Sequence, residues 1–170
     1  MHTILIVDDE PIERNGIKSL IRRFQYALTI IEADNGEHAL DIIKRRPIDI
    51  LFTDFKMPFM GGLELAEQAK IVNPALEIVI YSAYGEFDYA RKAIELRAVN
   101  YLLKPIVIDH FSSTMSDIID LLTSREAEQE QLEKMLEGYK IGVAHVKEKM
   151  LLDLLSGSLW EQHTDNGIDW

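Results

Sequence analysis

No cysteine occurs in the 170 residues, which removes disulfides, thiolate metal sites and cysteine nucleophiles and is compatible with a reducing cytoplasm, the location expected for this chain. Basic residues are few: 18 lysines and arginines stand against 29 aspartates and glutamates, for a formal net charge of −11. A chain so acidic repels phosphate backbones and supplies no basic groove, so this segment is not expected to hold nucleic acid. No apolar run is long enough to span a bilayer. The start passes from Met1-His2-Thr3 directly into Ile4 to Val7 and then acids, without the basic start and longer apolar stretch of a signal peptide. No membrane contact is expected. Neither a Gly-x-Gly-x-x-Gly turn nor a Walker lysine loop follows the first apolar run, which argues against a nucleotide-binding domain. What remains is the composition of a folded globular protein, 47% hydrophobic and 28% charged, with room for one domain of about 100 to 150 residues and an extension.

From Thr3 to about Leu103 short apolar runs alternate with amphipathic stretches, the pattern of parallel strands joined by crossover helices. The runs Ile4 to Val7, Leu28 to Ile31, Ile48 to Phe52, Ile78 to Tyr81 and Val99 to Leu103 are too short for helices and rich in β-branched residues, so they read as five buried strands. Between them, Ile12 to Phe24, Glu37 to Arg46, Gly62 to Val72 and Phe87 to Leu96 carry apolar residues at helical spacing. Right-handed crossovers then give an α/β doubly wound sheet with helices on both faces.

After Pro105 only helical periodicity remains. From Phe111 a seam recurs at alternating steps of four and three: Phe111, Met115, Ile118, Leu122, then Arg125 and Gln129, then Leu132, Leu136, Tyr139, Val143, Val146 and Met150. This predicts an extended C-terminal helix, with two polar layers near the middle. Gly138 and Gly142 each cost it about 1 kcal/mol relative to alanine, so the later half is expected to be weak or bent. The expected organisation is a domain over 1–122, a long helix or coiled-coil linker over 111–155 continuing the last helix of that domain, and an irregular tail over 156–170. The seam fits a dimerising coiled coil or a stripe that packs on a further domain. A parallel dimer sets Glu128 near Glu133 of its partner, which repels, while Arg125 and Gln129 can fix register; an antiparallel pairing stays open.

Asp8, Asp9 and Glu10 follow the first strand and Asp54 follows the third. In a 2-1-3-4-5 strand order these two strands are neighbours where the chain reverses, and ligands of open parallel sheets bind beyond the carboxyl ends of the strands there. Carboxylates gathered in one crevice repel unless a cation joins them, and a hard divalent ion suits oxygen donors. Mg2+ fits best, because it accepts one to three carboxylates and keeps waters for exchange with phosphate oxygens. Ser82 ends the fourth strand and Lys104 the fifth, offering a hydroxyl donor and an ammonium at the same edge. Pro105 stiffens the turn after Lys104 and biases that residue towards extended backbone.

Ile6-Val7-Asp8-Asp9-Glu10, Asp54 with Met57-Pro58 after it, Ser82-Ala83 and Tyr101-Leu102-Leu103-Lys104-Pro105 together resemble the response-regulator receiver family, CheY-like and flavodoxin-like in fold, over roughly residues 1 to 122. The resemblance implies that Asp54 is the phosphoacceptor, that Asp9 and Asp54 bind the metal with Asp8 beside them, that the Lys56 carbonyl completes the protein ligands and that Lys104 contacts the phosphoryl group. It also implies that Ser82 and Tyr101 form a switch pair. The stretch Ser82-Ala-Tyr-Gly-Glu-Phe-Asp-Tyr-Ala90, with the long helix and Met150-Leu-Leu-Asp-Leu-Leu-Ser-Gly157, is similar to the YesN-like subgroup. Proteins of that subgroup carry an AraC-type helix-turn-helix domain further on, which these residues do not include. The implied function is a two-component module phosphorylated by a sensor histidine kinase and relaying to a transcription-regulating domain. It is not itself an enzyme beyond self-phosphorylation and self-dephosphorylation. A homodimer is expected through the helical linker or the face around the 87–96 helix and the fifth strand.

A lone strand-end aspartate is ordinarily a cap or a solvated charge; five matched positions are what separate Asp8, Asp9, Asp54, Ser82 and Lys104 from that reading. Tyr101 by itself would be a half-buried edge aromatic. Lys56 and Tyr84 flank the expected phosphate and read equally well as exposed loop side chains. The histidines lack ligand spacing. The rival function is an aspartyl-phosphate-forming phosphohydrolase. Such enzymes usually place a second aspartate two residues after the nucleophile, where this chain has Lys56.

Overall fold

A computed structural model describes residues 1–83 and 100–156. The chain folds through β1 (His2–Val7), α1 (Pro11–Arg23), β2 (Leu28–Ala33), α2 (Gly36–Arg45), β3 (Ile50–Asp54), α3 (Gly62–Val72), β4 (Glu77–Ser82), β5 (Asn100–Leu103) and α4 (Ile108–Leu155). The helix expected over Phe87 to Leu96, the strand start at Val99, Tyr84 and the tail beyond 156 lie outside the described residues.

The five strands form one parallel sheet in the order β2-β1-β3-β4-β5. Strand alternation sorts its side chains onto two cores. Leu5, Val7, Leu51, Ile78 and Ile80 meet Ala39, Leu40 and Ile43 of α2 and Leu65, Ala66 and Ala69 of α3. Ile4, Ile6, Ile50, Phe52, Val79 and Tyr81 meet Ile17 and Ile21 of α1 and Phe111, Met115, Ile118 and Leu122 of α4. Because both faces are covered, the central strands are apolar on both sides.

Local signals agree with the helix starts. Pro11 sits at the first turn of α1, Glu13 lies near its positive end and Arg22 and Arg23 near its negative end. The Asn35 side chain caps α2 by accepting from the His38 amide at 2.8 Å. Four strands nevertheless extend past their apolar runs, β1 to His2, β2 to Glu32 and Ala33, β3 to Thr53 and Asp54, and β4 to Glu77 and Ser82, while β3 starts at Ile50 and not at Ile48. Main-chain pairing does not require an apolar side chain.

The chain divides into a unit over Met1–Thr123 and a unit over Ser124–Trp170. In the first, the early seam positions Phe111, Met115, Ile118 and Leu122 are buried against the sheet, so they form domain core and not a surface for a partner. In the second, Leu132, Leu136, Tyr139, Val143, Val146 and Met150 are exposed. Gly138 and Gly142 do not interrupt the helix, which is assigned continuously to Leu155.

Candidate functional site

Register builds the site. Val7 pairs with Thr53 and Asp54 with Tyr81, while Ser82 pairs with Leu103. The residues at the carboxyl ends of β1, β3, β4 and β5 therefore share one edge. There, one carboxylate oxygen from each of Asp8, Asp9 and Asp54 lies within 4.8 Å of the others. Asp8 and Asp54 are buried and Asp9 is exposed, which leaves the cluster open on one side.

Lys104, the residue after β5, reaches both buried carboxylates, with Nζ 2.9 Å from Asp54 Oδ1 and 3.4 Å from Asp8 Oδ2. Asp8 Oδ1 accepts from the Glu10 amide at 2.8 Å and Oδ2 accepts from the Tyr81 hydroxyl. Asp54 Oδ2 accepts from the Lys56 amide at 3.2 Å, so Lys56 is tied to the site through its main chain. Ser82 is buried at the end of β4, and its carbonyl accepts from the Lys104 amide at 2.9 Å. Tyr101 is half-buried on β5 and packs against the core shared with α2 and α3.

The electrostatics show an excess of negative charge. Burial raises the Asp54 carboxyl above its ordinary range and Asp8 adds to this; the Lys104 ammonium and the Lys56 amide pull it back without cancelling the rise. Burial by itself would lower the Lys104 ammonium, but the ion pairs with Asp54 and Asp8 leave it above the ordinary lysine value. Asp54 is thus raised chiefly by its burial, and Lys104 by the two carboxylates it faces. The three oxygen donors, the uncompensated charge and the open side at Asp9 together fit a hard divalent cation.

Three contributors escaped the sequence reading. Arg14 of α1 donates from a guanidinium nitrogen to the Asp8 carbonyl at 2.7 Å, and its Nε meets Glu32 of β2 at 3.1 Å, pinning the loop that carries the acids. Gly62 starts α3 against the Asp54 main chain, where a β-carbon would come within 2.0 Å of the Asp54 carbonyl oxygen. Tyr81 sits inside an apolar strand, and the one available signal was its hydroxyl, which must find a partner when buried. Beside the cluster, a groove of about 370 Å³ opens between Glu13, Gly16 and Leu20 of α1 and the segment Lys104 to Ile106; the Lys104–Pro105 peptide is cis.

A five-stranded parallel sheet with acids and a lysine converging at its carboxyl edge is the arrangement of a receiver-type domain. Residues 4–116 match the response regulator receiver domain family, and the chain belongs to it. The protein is 33% identical over 132 residues to the uncharacterized transcriptional regulatory protein YesN of Bacillus subtilis, covering 77% of this chain and 36% of that protein. It is 32% identical over 120 residues to sporulation initiation phosphotransferase F of the same organism, covering 69% of this chain and 94% of that one. Among solved structures, the REC domain of AraT, a response regulator from Geobacillus stearothermophilus, is similar with a TM-score of 0.66 and 35% identity, over 74% of this chain and 98% of that domain. The chain spans about a third to a half of the length of the first curated relatives it matches. No described helix is long and apolar enough to cross a membrane.

Proposed function

We propose that this chain is the phosphoaccepting input module of a two-component response regulator. A sensor kinase's phosphohistidine donates its phosphoryl group to an Asp54 Oδ: the P–N bond breaks, a P–O bond forms, and the imidazole leaves. The observation that carries this reading is the Lys104 ammonium bridging Asp54 and Asp8 at 2.9 and 3.4 Å, inside a cluster of three carboxylates. Asp8, Asp9, Asp54 and the Lys56 carbonyl would hold Mg2+, which when bound offsets charge on the carboxylates and on phosphoryl oxygens. Lys104 contacts the acyl phosphate and Ser82 donates to one of its oxygens. Tyr101 answers the movement of Ser82, biasing two conformations of the fifth-strand face.

Output passes through α4 to a DNA-binding domain of the AraC type, as the YesN-like character supports. The exposed stripe from Leu132 to Met150 suits a homodimer. The chain acts in the cytoplasm and turns over no external substrate, because the position two residues after Asp54 is Lys56 and cannot serve as the acid and base of a phosphohydrolase. Incubation with radiolabelled acetyl phosphate and Mg2+ should label the wild type and not Asp54→Asn. Equal labelling of both, or rapid turnover of phosphate esters, would refute the proposal.

A further inference from the structure

Tyr81 is fully buried and the bulkiest such side chain among the described residues. Its ring packs on Phe52 with centroids 4.9 Å apart, in a core that a phenylalanine or leucine would fill without needing a polar partner. The hydroxyl instead donates to Asp8 Oδ2, and Lys104 Nζ lies 4.6 Å from the ring centroid. The Tyr81 carbonyl accepts from the Phe55 amide at 2.9 Å, immediately after Asp54. One residue thus contacts the carboxylate and the ammonium that flank Asp54, and also the main chain that carries it.

We propose that Tyr81 is a positioning residue of the acidic site: its hydroxyl fixes the Asp8 carboxylate and its ring seats Lys104 Nζ, so that both are set before a divalent cation or a phosphoryl group arrives. The inference rests on the phosphoacceptor reading of that site. Among the described residues three groups contact the Asp8 carboxylate, and they differ in what anchors them. The Glu10 amide belongs to the same loop as Asp8 and moves with it. Lys104 is shared with Asp54. Tyr81 alone is anchored in a central strand and a packed core, which imposes its geometry on the loop. Burial, reinforced by Asp8, pushes its ionisation well above the ordinary tyrosine range, so it stays a donor. The ring adds a cation–π contact that favours one position of the ammonium.

The test compares the wild-type chain with Tyr81→Phe, which removes only the hydroxyl, and Tyr81→Leu, which also removes the ring beneath Lys104. Mg2+ is titrated into the unphosphorylated proteins, and the metal-free proteins are examined by proton NMR. Donors behind metal-binding carboxylates are worth about 10- to 100-fold in affinity, so Tyr81→Phe should weaken Mg2+ binding by about tenfold or more while still unfolding cooperatively. Tyr81→Leu should in addition slow phosphate incorporation from acetyl phosphate at saturating Mg2+. The metal-free wild type should show a slowly exchanging, low-field hydroxyl resonance that Tyr81→Phe lacks. A tyrosine with a packing role only would lower the melting temperature of both variants and leave the Mg2+ dissociation constant unchanged, which overturns the inference. Absence of the hydroxyl resonance from the wild type, a readout that needs no variant to fold, also overturns it. A wild type that takes up no Mg2+ defeats the phosphoacceptor reading and this inference with it. Uptake by the wild type matched by Tyr81→Phe defeats this inference alone.

Discussion

Gly62→Ala should damage both the stability of this domain and its labelling by acetyl phosphate, the activity proposed for Asp54, for a reason that lies entirely in space. The new β-carbon would stand 2.0 Å from the Asp54 carbonyl oxygen, 3.0 Å from its carbonyl carbon and 3.2 Å from the Phe55 Cα. All three are main-chain atoms, so no rotamer change can clear them. Carbon–oxygen contacts normally begin at about 3.3 Å, so the start of α3 and the end of β3 must separate by about 1 Å or more. Overpacking of this kind costs about 1–3 kcal/mol, sometimes more, and alanine's better helix propensity returns at most about 1 kcal/mol. A net loss of about 2 kcal/mol corresponds to a fall of roughly 6–10 °C in melting temperature for a domain of this size. Because the displaced strand end carries Asp54, labelling from acetyl phosphate should fall as well. Gly16→Ala is the control: it lies exposed on α1 with nothing within 4 Å of its β-carbon, and should be neutral or stabilising by up to about 1 kcal/mol. Thermal and urea unfolding followed by circular dichroism, with labelling in parallel, decides the matter. A Gly62→Ala chain within about 0.5 kcal/mol of wild type would refute the steric argument.

Met115 and Met150 occupy the same seam of the same helix, yet one is 0% and the other 61% exposed. Met115→Ala should therefore cost about 2–5 kcal/mol in urea unfolding, and Met150→Ala under about 0.5 kcal/mol at concentrations where the chain is monomeric; comparable losses would contradict the division of the seam. Glu32, clamped by Lys18 at 2.7 Å and Arg14 at 3.1 Å, has its carboxyl held below the ordinary range, first through the Lys18 hydrogen bond. A depressed folded value contributes stability above the unfolded pKa that is lost as pH falls through the folded one. Glu32→Gln should thus lose about 0.5–1 kcal/mol at pH 7, allowing for solvent screening, with the gap closing in acid; a pH-independent difference would rule the clamp out. Phe59 is 94% exposed and held at φ 67°, a left-handed conformation that burdens a bulky residue. Phe59→Gly should raise stability by about 1 kcal/mol, read as a higher urea midpoint at unchanged slope, and a lower midpoint would show that the ring is needed.

Much of the architecture is written locally. The β-branched runs around Ile4, Ile30, Leu51, Val79 and Leu102 all became strands, and α1, α2 and α3 begin and end within a residue of where apolar spacing sets them, while α4 starts three residues ahead of the expected 111. The placement of Asp8, Asp9, Asp54 and Lys104 at strand ends was readable too, since one turn after a strand always leaves the sheet at the same edge. Tyr81, Arg14 and Gly62 were not readable. Tyr81 looks like one more apolar strand residue until register sets it opposite Asp54. Arg14 looks like a solvated helix charge until α1 packs beside β2. Gly62 looks like an unremarkable helix start until the Asp54 carbonyl is found where its side chain would be.

The order of elements and the sheet edge where Asp8, Asp9 and Asp54 gather thus follow from the sequence, because periodicity and strand-end position depend on neighbours a few residues apart. Only the tertiary structure decided which half of the terminal seam is core, and that the Tyr81 hydroxyl meets a carboxylate 73 residues earlier. Those outcomes depend on register and on which surfaces cover one another, and a repeating apolar stripe carries no record of what will bury it.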